Sequence, residues 1–259
     1  MGYSHVVAYE KGRRGRAIFA LVSTFLLIGA AAYSSMSIAQ AASVPASAEI
    51  ADPAMPDPSI EGAPNEASGE DLYQRGFYPE AISEWKRAVD VNKDAGAAFR
   101  LGEEYFDAKV VERDVAAATK YFTLGAEWGD MRAQMDLATL FDKGWGVPQD
   151  LERAAKWYEA SAKQGQPSAQ YNIATMYEEG VGVEADKVRA YMYYQLAIEG
   201  GFPKFATEAL ENLSRTMTAA EVKEATKMVR AFRPMTREES AEELAVTAEP
   251  LSDIAEEAR

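Results

Sequence analysis

The sequence predicts an all-α fold, a right-handed solenoid of antiparallel helix pairs. Similar residues recur every 36 positions through the middle of the chain, in three successive units without an insertion. Within each unit, apolar residues repeat at helical spacing in two stretches separated by turn residues. A helix pair of this size cannot bury its own apolar faces, so stacked units with a continuous core are expected. The units lie at about 94–129, 130–165 and 166–201.

Residues 1–41 have the layout of an export signal or an N-terminal membrane anchor. Four basic residues precede an uncharged run over 17–33, and an Ala-x-Ala sequence at 39–41 fits a cleavage site. Cleavage would leave Ala42 first, whereas an uncleaved segment would anchor the chain and be its only contact with the membrane. In either case the basic cluster stays cytoplasmic and the remainder is translocated. We therefore expect a periplasmic protein, or one anchored in the inner membrane with a periplasmic body.

The two segments that flank the repeats are polar and acidic. Residues 42–70 contain five of the eleven prolines and several acids, and they are predicted to form a disordered linker. Residues 234–259 are also acidic, with scattered aliphatic side chains, and are predicted to be a mostly disordered tail. The solenoid itself is expected at 71–233.

Composition excludes several classes of function. The chain has no cysteine, and its single histidine, His5, lies in the N-terminal segment. The translocated body therefore has no histidine or cysteine to ligate a metal or act in catalysis. The net charge of -14 argues against a nucleic-acid partner. We expect no cofactor and no metal, and the sequence carries no signal for an oligomeric state.

Each unit is predicted to contain a helix A followed by a helix B. In the second unit, Gly144 and Gly146 end helix A because they adopt positive φ without steric cost. Asp150 caps the start of helix B and Gly165 ends it. The predicted core positions are Ala133, Leu137, Ala138 and Phe141 in helix A, and Ala154, Trp157, Tyr158 and Ala162 in helix B.

These residues resemble the Sel1-like repeat, a relative of the tetratricopeptide repeat. The match is strongest over 133–165, and the third unit keeps the turn glycines and the paired tyrosines Tyr193 and Tyr194. The first unit has Ala108 and Val110 where the turn glycines belong. A degenerate helical element precedes the repeats at 78–88. Capping helices are predicted over 203–233, with Thr218 and Glu221 as a capping box.

The resemblance implies a binding scaffold without catalytic activity. Sel1-like proteins mostly act as adaptors, and exported bacterial ones often serve signalling or assembly in the cell envelope. We therefore expect a protein or peptide partner in the envelope and no catalytic residue. The alternative is a cell-wall (peptidoglycan or polysaccharide) hydrolase that acts through carboxylates alone, or a cell-wall binding protein.

Candidate partner-binding residues lie on the side of helix A opposite its core. One column of this side carries three large apolar residues at 36-residue spacing, Phe99, Met135 and Tyr171. They either line a concave groove for an extended or helical peptide or pack on neighbouring A helices. Trp145, between two turn glycines, is either an exposed anchor or folds over its own helix pair. The candidates are Phe99, Glu103 and Phe106 in the first unit, Arg132, Met135, Thr139 and Trp145 in the second, and Tyr171 and Thr175 in the third.

Overall fold

Residues 63–247 are the part of the chain that the computed structural model describes, and they form eleven α-helices without a strand. Among these helices, none is both long and apolar enough to cross a membrane. The predicted signal or anchor at 1–41, most of the predicted linker and the end of the tail lie outside the described residues. The helices are α1 (Glu66–Gln74), α2 (Tyr78–Asn92), α3 (Ala95–Asp107), α4 (Val115–Glu127), α5 (Met131–Lys143), α6 (Leu151–Lys163), α7 (Pro167–Glu179), α8 (Lys187–Glu199), α9 (Pro203–Ser214), α10 (Ala219–Ala231) and α11 (Arg237–Thr247).

Consecutive helices pack as pairs, and each pair packs on the next. The three repeat units are α3 with α4, α5 with α6, and α7 with α8, so α3, α5 and α7 are the A helices and α4, α6 and α8 the B helices. The pair α1–α2 precedes them, while α9 and α10 pack on α8. The predicted all-α solenoid of helix pairs is confirmed.

Aspartates and glycines at fixed positions set the length of each repeat helix. Asp114, Asp150 and Asp186 cap the B helices, and each carboxylate accepts a hydrogen bond from a backbone N–H in the first turn. Gly144 ends α5 in the left-handed region, at φ 67°. In the first unit Ala108 takes the same conformation, at φ 56°, although it bears a side chain that disfavours this region. The first left-handed position of the turn therefore persists without its glycine, whereas Val110, unlike its equivalents Gly146 and Gly182, does not take positive φ.

The core of the second unit is the predicted one. Leu137 and Phe141 of α5 and Trp157 of α6 are at most 2% exposed. The equivalents of Leu137, which are Leu101 and Ile173, are completely buried. Alanines at the closest helix contacts let the backbones approach, and the aromatic rings fill the remaining volume.

The helical body begins earlier than predicted. Residues 42–70 were expected to be a disordered linker, yet α1 begins at Glu66. Asn65 and Ser68 form a capping box at its start, and the Trp85 indole donates to the Glu66 carbonyl at 3.0 Å. Gly69 provides the close approach, because a Cβ there would come within 2.3 Å of the Trp85 ring. The contact of α1 with Trp85 depends on a glycine and not on a row of apolar side chains. The segment therefore lacks the apolar periodicity by which a helix is predicted, and its proline-rich, acidic composition indicated a linker instead.

The acidic tail is also partly folded, in contrast to its predicted disorder. Helix α11 is capped by Thr236 and Glu239, and its Ser240 and Leu244 side chains are 2% and 8% exposed. It lies against α4 of the first unit and against the second unit instead of extending the solenoid beyond α10. Two buried side chains four residues apart are too few to form a recognisable apolar stripe.

Candidate functional site

The site predicted from sequence lies on the outer side of the A helices, which we call the A-helix face. We define it by the side chains of Glu103 in α3, Asp136 and Thr139 in α5, and Asn172 and Thr175 in α7. All five are partly exposed. α1 packs beside α3, and α3 beside α5, so the A helices form a continuous layer at this end of the repeats.

Two of the three large residues in the predicted apolar column are part of the core. Phe99 and Met135 are only 6% and 9% exposed. The Phe99 ring packs against Phe122, with centroids 6.2 Å apart, and the Arg132 guanidinium lies 4.4 Å above it. These side chains therefore fill the space between neighbouring helices, and Phe99 and Met135 are not exposed anchors for a peptide.

The third member of that column, Tyr171, is half-buried and belongs to an aromatic cluster. Its ring centroid lies 5.7 Å from Tyr194, 5.5 Å from Phe202 and 6.2 Å from Phe205. Phe202 and Phe205 lie at the start of α9. Tyr171 thus joins the third unit to the C-terminal helices.

Arg132 is held by carboxylates from two helices. Its guanidinium donates to both oxygens of Glu66, at 2.9 and 3.2 Å, and to both oxygens of Asp130, at 3.1 and 2.7 Å. Burial by itself would lower the pKa of Arg132, but the hydrogen bonds that it donates to Asp130 and Glu66 outweigh this effect and raise the pKa. Arg100 forms a second bridge, with Glu66, Glu70 and Glu103 between 3.1 and 3.5 Å. Because Glu66 belongs to α1, this network closes the N-terminal end of the A-helix face.

The two predicted threonines take part in a polar group that repeats every 36 residues. Thr139 Oγ1 lies 3.2 Å from the Tyr158 hydroxyl, which donates to Asp142 at 3.4 Å. One unit later, Thr175 Oγ1 lies 3.1 Å from the Tyr194 hydroxyl. That hydroxyl donates to Glu178 at 2.8 Å.

The sequence predicted only part of the role of these tyrosines. They were expected to be core residues, and their rings are indeed buried. Their hydroxyl groups nevertheless extend from the B helices through the core to the A-helix face. The shared 36-residue spacing of threonine, tyrosine and acid was the available signal.

Asp136 is the functional candidate that sequence reasoning missed. Burial raises the pKa of Asp136 to about 8, and the carboxylates of Glu103 and Asp107 act in the same direction. Asp130 adds to this effect and Arg132 opposes it. The pKa of Glu103 is also raised, chiefly by burial, although Arg100 lowers it in part. The face therefore holds carboxyl groups that would be stabilised by an arriving cation.

Phe106 and Trp145, both predicted to bind a partner, lie together at the turn end of the A helices. Trp145 is 43% exposed, and its ring stacks on Phe106 with centroids 6.1 Å apart. The Arg113 guanidinium lies 5.1 Å from the Phe106 centroid. Trp145 therefore contacts the preceding unit and is not packed solely against its own helix pair. The two rings form an aromatic patch at the border of the A-helix face, in which Trp145 is exposed and Phe106 is partly buried.

Comparison with known proteins agrees with this architecture. The model of the Sel1 repeat matches residues 95–130, 132–166 and 167–202. No curated protein matches the chain.

Two solved structures are similar to the chain. One is a protective antigen present in uropathogenic Escherichia coli strains, which displays an SLR fold. It is 26% identical, with a TM-score of 0.55 over 69% of this chain. The chain spans only 39% of the length of that protein. The other is a Sel1 repeat protein from Oxalobacter formigenes, 32% identical with a TM-score of 0.47, and the similarity covers 51% of this chain and 97% of that one.

Proposed function

Because the chain belongs to the Sel1 repeat family, we propose that it is a non-catalytic scaffold of the cell envelope that binds a protein or peptide on its A-helix face. Sel1 repeats generally mediate protein–protein interaction. Helical-repeat solenoids use the curvature of the stack to form extended concave binding surfaces. The proposal assigns that role to the A-helix face. The envelope location derives from the sequence of residues 1–41.

The observation that carries this proposal is the acidic, hydrogen-bonding character of the A-helix face. Glu103, Asp136, Asp142 and Glu178 follow one another along α3, α5 and α7, and the paired threonine and tyrosine hydroxyls lie between them. A surface of this kind attracts positively charged segments and orients them by charge complementarity. We therefore propose a partner segment that presents lysine or arginine to these carboxyl groups. Its positive charge would favour the ionised form of Asp136, which burial disfavours in the free protein.

The burial of two residues of the apolar column changes the expected way in which a partner is bound. Since Phe99 and Met135 are buried, apolar anchoring would come from the aromatic patch, chiefly from its exposed member, Trp145. Aromatic residues of this type often dominate binding energy at interfaces. The proposed contact thus combines basic side chains over α5 and α7 with an apolar side chain against the patch.

Site-specific photo-crosslinking in native envelopes tests this assignment. A photoreactive amino acid at Thr175, on the A-helix face, should yield a defined protein adduct. The same group at Glu152, which is exposed on α6, serves as the control and should not yield that adduct. Adding Asp136→Lys to the Thr175 probe should abolish the adduct while circular dichroism stays unchanged. Equal adducts from both positions would contradict the proposed face.

The proposal also includes the absence of catalysis. Proteins of this fold are generally non-catalytic scaffolds. Glu178 and Glu179 are both exposed but are adjacent on one helix, so they do not face each other as the carboxyl pair of a glycosidase does. Incubation with peptidoglycan fragments should give no product, and turnover that a single Asp or Glu substitution abolishes would contradict the scaffold role.

A further inference from the structure

Helix α11 folds back onto the repeats instead of continuing the solenoid. After α10 the chain runs through residues 232–236 and returns to the second unit, where the Met235 N–H donates to the Lys163 carbonyl at 2.9 Å. α11 then packs against α4, and Leu244 joins the main core cluster. The C-terminal helix thus covers a surface of the repeats that lies apart from the A-helix face.

Ser240 of this helix enters a polar slot formed by the side chains of Gln134 and Gln164. The Ser240 hydroxyl oxygen accepts from the side-chain amides of Gln134 and Gln164, at 3.1 Å each. Gln164 Nε2 also lies 2.9 Å from Gln134 Oε1, so the two glutamines form one connected group. Gln134 is completely buried. A buried amide group of this kind stabilises the fold only when its hydrogen bonds are made.

The slot occurs at one position of the repeat array. The residues equivalent to Gln164 in the first and third units are Trp128 and Gly200, so neither can supply the second amide. Gln170, the equivalent of Gln134 in the third unit, keeps a buried Oε1 atom without a hydrogen-bond partner. The contact of this glutamine with the backbone does repeat, since Gln134 Nε2 donates to the Ala126 carbonyl as Gln170 Nε2 donates to the Ala162 carbonyl. Among the described units, only the second pairs this glutamine with another amide, Gln164, and with the hydroxyl of a docked serine.

Shape and charge complete the fit of α11. A Cβ at Gly129 would lie 2.2 Å from the Arg237 carbonyl oxygen, so the start of α11 touches the inter-unit turn directly. Lys163 Nζ lies 2.7 Å from Glu243. The surface thus accepts a helix with a small hydroxyl residue, a leucine four positions later and an acidic side chain beside it.

The docking of α11 is limited in extent. Among its described side chains, Ser240 and Leu244 are buried, whereas Val246 is 88% exposed. A cavity of about 360 Å³ remains between α6 and α11. An 11-residue helix is marginal by itself, and ordering it offsets much of what two buried side chains contribute. The docked helix is therefore expected to exchange with an undocked state.

We propose that the surface beneath α11 is a second protein-docking site, which α11 occupies within the chain and which a helix of a partner protein occupies when α11 leaves. The partner helix would carry the same arrangement, with serine or another small hydroxyl residue, leucine at the fourth position after it and an acid for Lys163. Because α11 competes for the site, the apparent affinity of the partner is its intrinsic affinity multiplied by the fraction of chains in which the site is open. This inference does not depend on the function proposed for the A-helix face.

Peptide binding to the full chain tests the proposal. The probe is a fluorescent synthetic peptide of residues 232–247, and the variant is Leu244→Asp, which places a charge at a buried position and releases the chain's own α11. The variant should bind the peptide at least ~10-fold more tightly than the wild type, because its site is open. Val246→Asp, at the exposed position, is the matched control and should behave as the wild type. A peptide that itself carries Leu244→Asp should not bind to any of the chains.

The proposal is overturned if the Leu244→Asp chain, with unchanged circular dichroism, binds the peptide no better than the wild type or binds the altered peptide equally well. A second measurement needs no variant: excess peptide should accelerate hydrogen exchange of the α11 amides in the wild-type chain. Exchange in α11 that is as slow as in α6 and insensitive to the peptide would also refute it. A wild-type mass of two chains by light scattering, lost on Leu244→Asp, would assign the site to a second copy and overturn the partner helix.

Discussion

The substitution Trp157→Ala removes an indole from the centre of the second unit, where Trp157 is only 2% exposed. A buried aromatic side chain of this size removes about 150–250 Å² from water. At about 25 cal/mol per Å², this area corresponds to about 4–6 kcal/mol. The remaining methyl group reduces the loss and the cavity increases it, so we expect the free energy of unfolding to fall by about 3–5 kcal/mol. For a body of this size, the melting temperature should fall by about 6–20 °C.

The same unit provides a matched control. Trp145 is 43% exposed and stacks on Phe106, so Trp145→Ala removes the same side chain from a partly solvated position. Its expected cost is about 1 kcal/mol, the typical value of an aromatic pair. Urea unfolding followed by circular dichroism at 222 nm measures both variants. Equal losses for the two substitutions, or an unchanged midpoint for Trp157→Ala, would show that the repeat register assigned here is wrong.

Three further predictions concern charge, turn geometry and the N-terminal helix. The pKa of Asp136 is higher in the folded chain, at about 8, than its ordinary value of 3.8, so its contribution to stability is complete below about pH 4 and is lost as the pH rises through 8. Asp136→Asn should therefore stabilise the chain more at pH 9 than at pH 5, and melting curves with a pH-independent difference would contradict this. Gly129→Ala should release α11 from the repeats and make it sensitive to protease, because the new Cβ would collide with the Arg237 carbonyl. Gly201→Ala, also at positive φ but with open space around it, is the control and should cost only the backbone strain, about 1–2 kcal/mol. Equal protease sensitivity of the two variants would contradict the contact of α11 with the turn. A double-mutant cycle of Glu66→Ala and Arg132→Ala should give a coupling energy of about 1 kcal/mol in urea unfolding, and a value near zero would contradict the bridge from α1 to α5.

The A-helix face shows where pattern reasoning was sufficient and where it was not. Helical periodicity identified the side of α5 that carries Thr139 and Met135, because the spacing of side chains around a helix is a local property. It could not decide whether Met135 is solvated, because this depends on how closely α3 and α7 approach α5. The structure places Met135 between these helices and leaves Asp136, its neighbour, partly exposed.

By itself the sequence determined the repeat, its period and the core of each unit. Caps, turn glycines and buried aromatic columns act within one helix pair or between adjacent pairs, and each recurs at 36-residue spacing. Only the tertiary structure decided the contacts that occur once. Arg132 meets Glu66 across 66 residues, and Gln134 meets Ser240 across 106. Such pairs involve one or two polar side chains from segments without an apolar period, and their partners become neighbours only after the solenoid has formed.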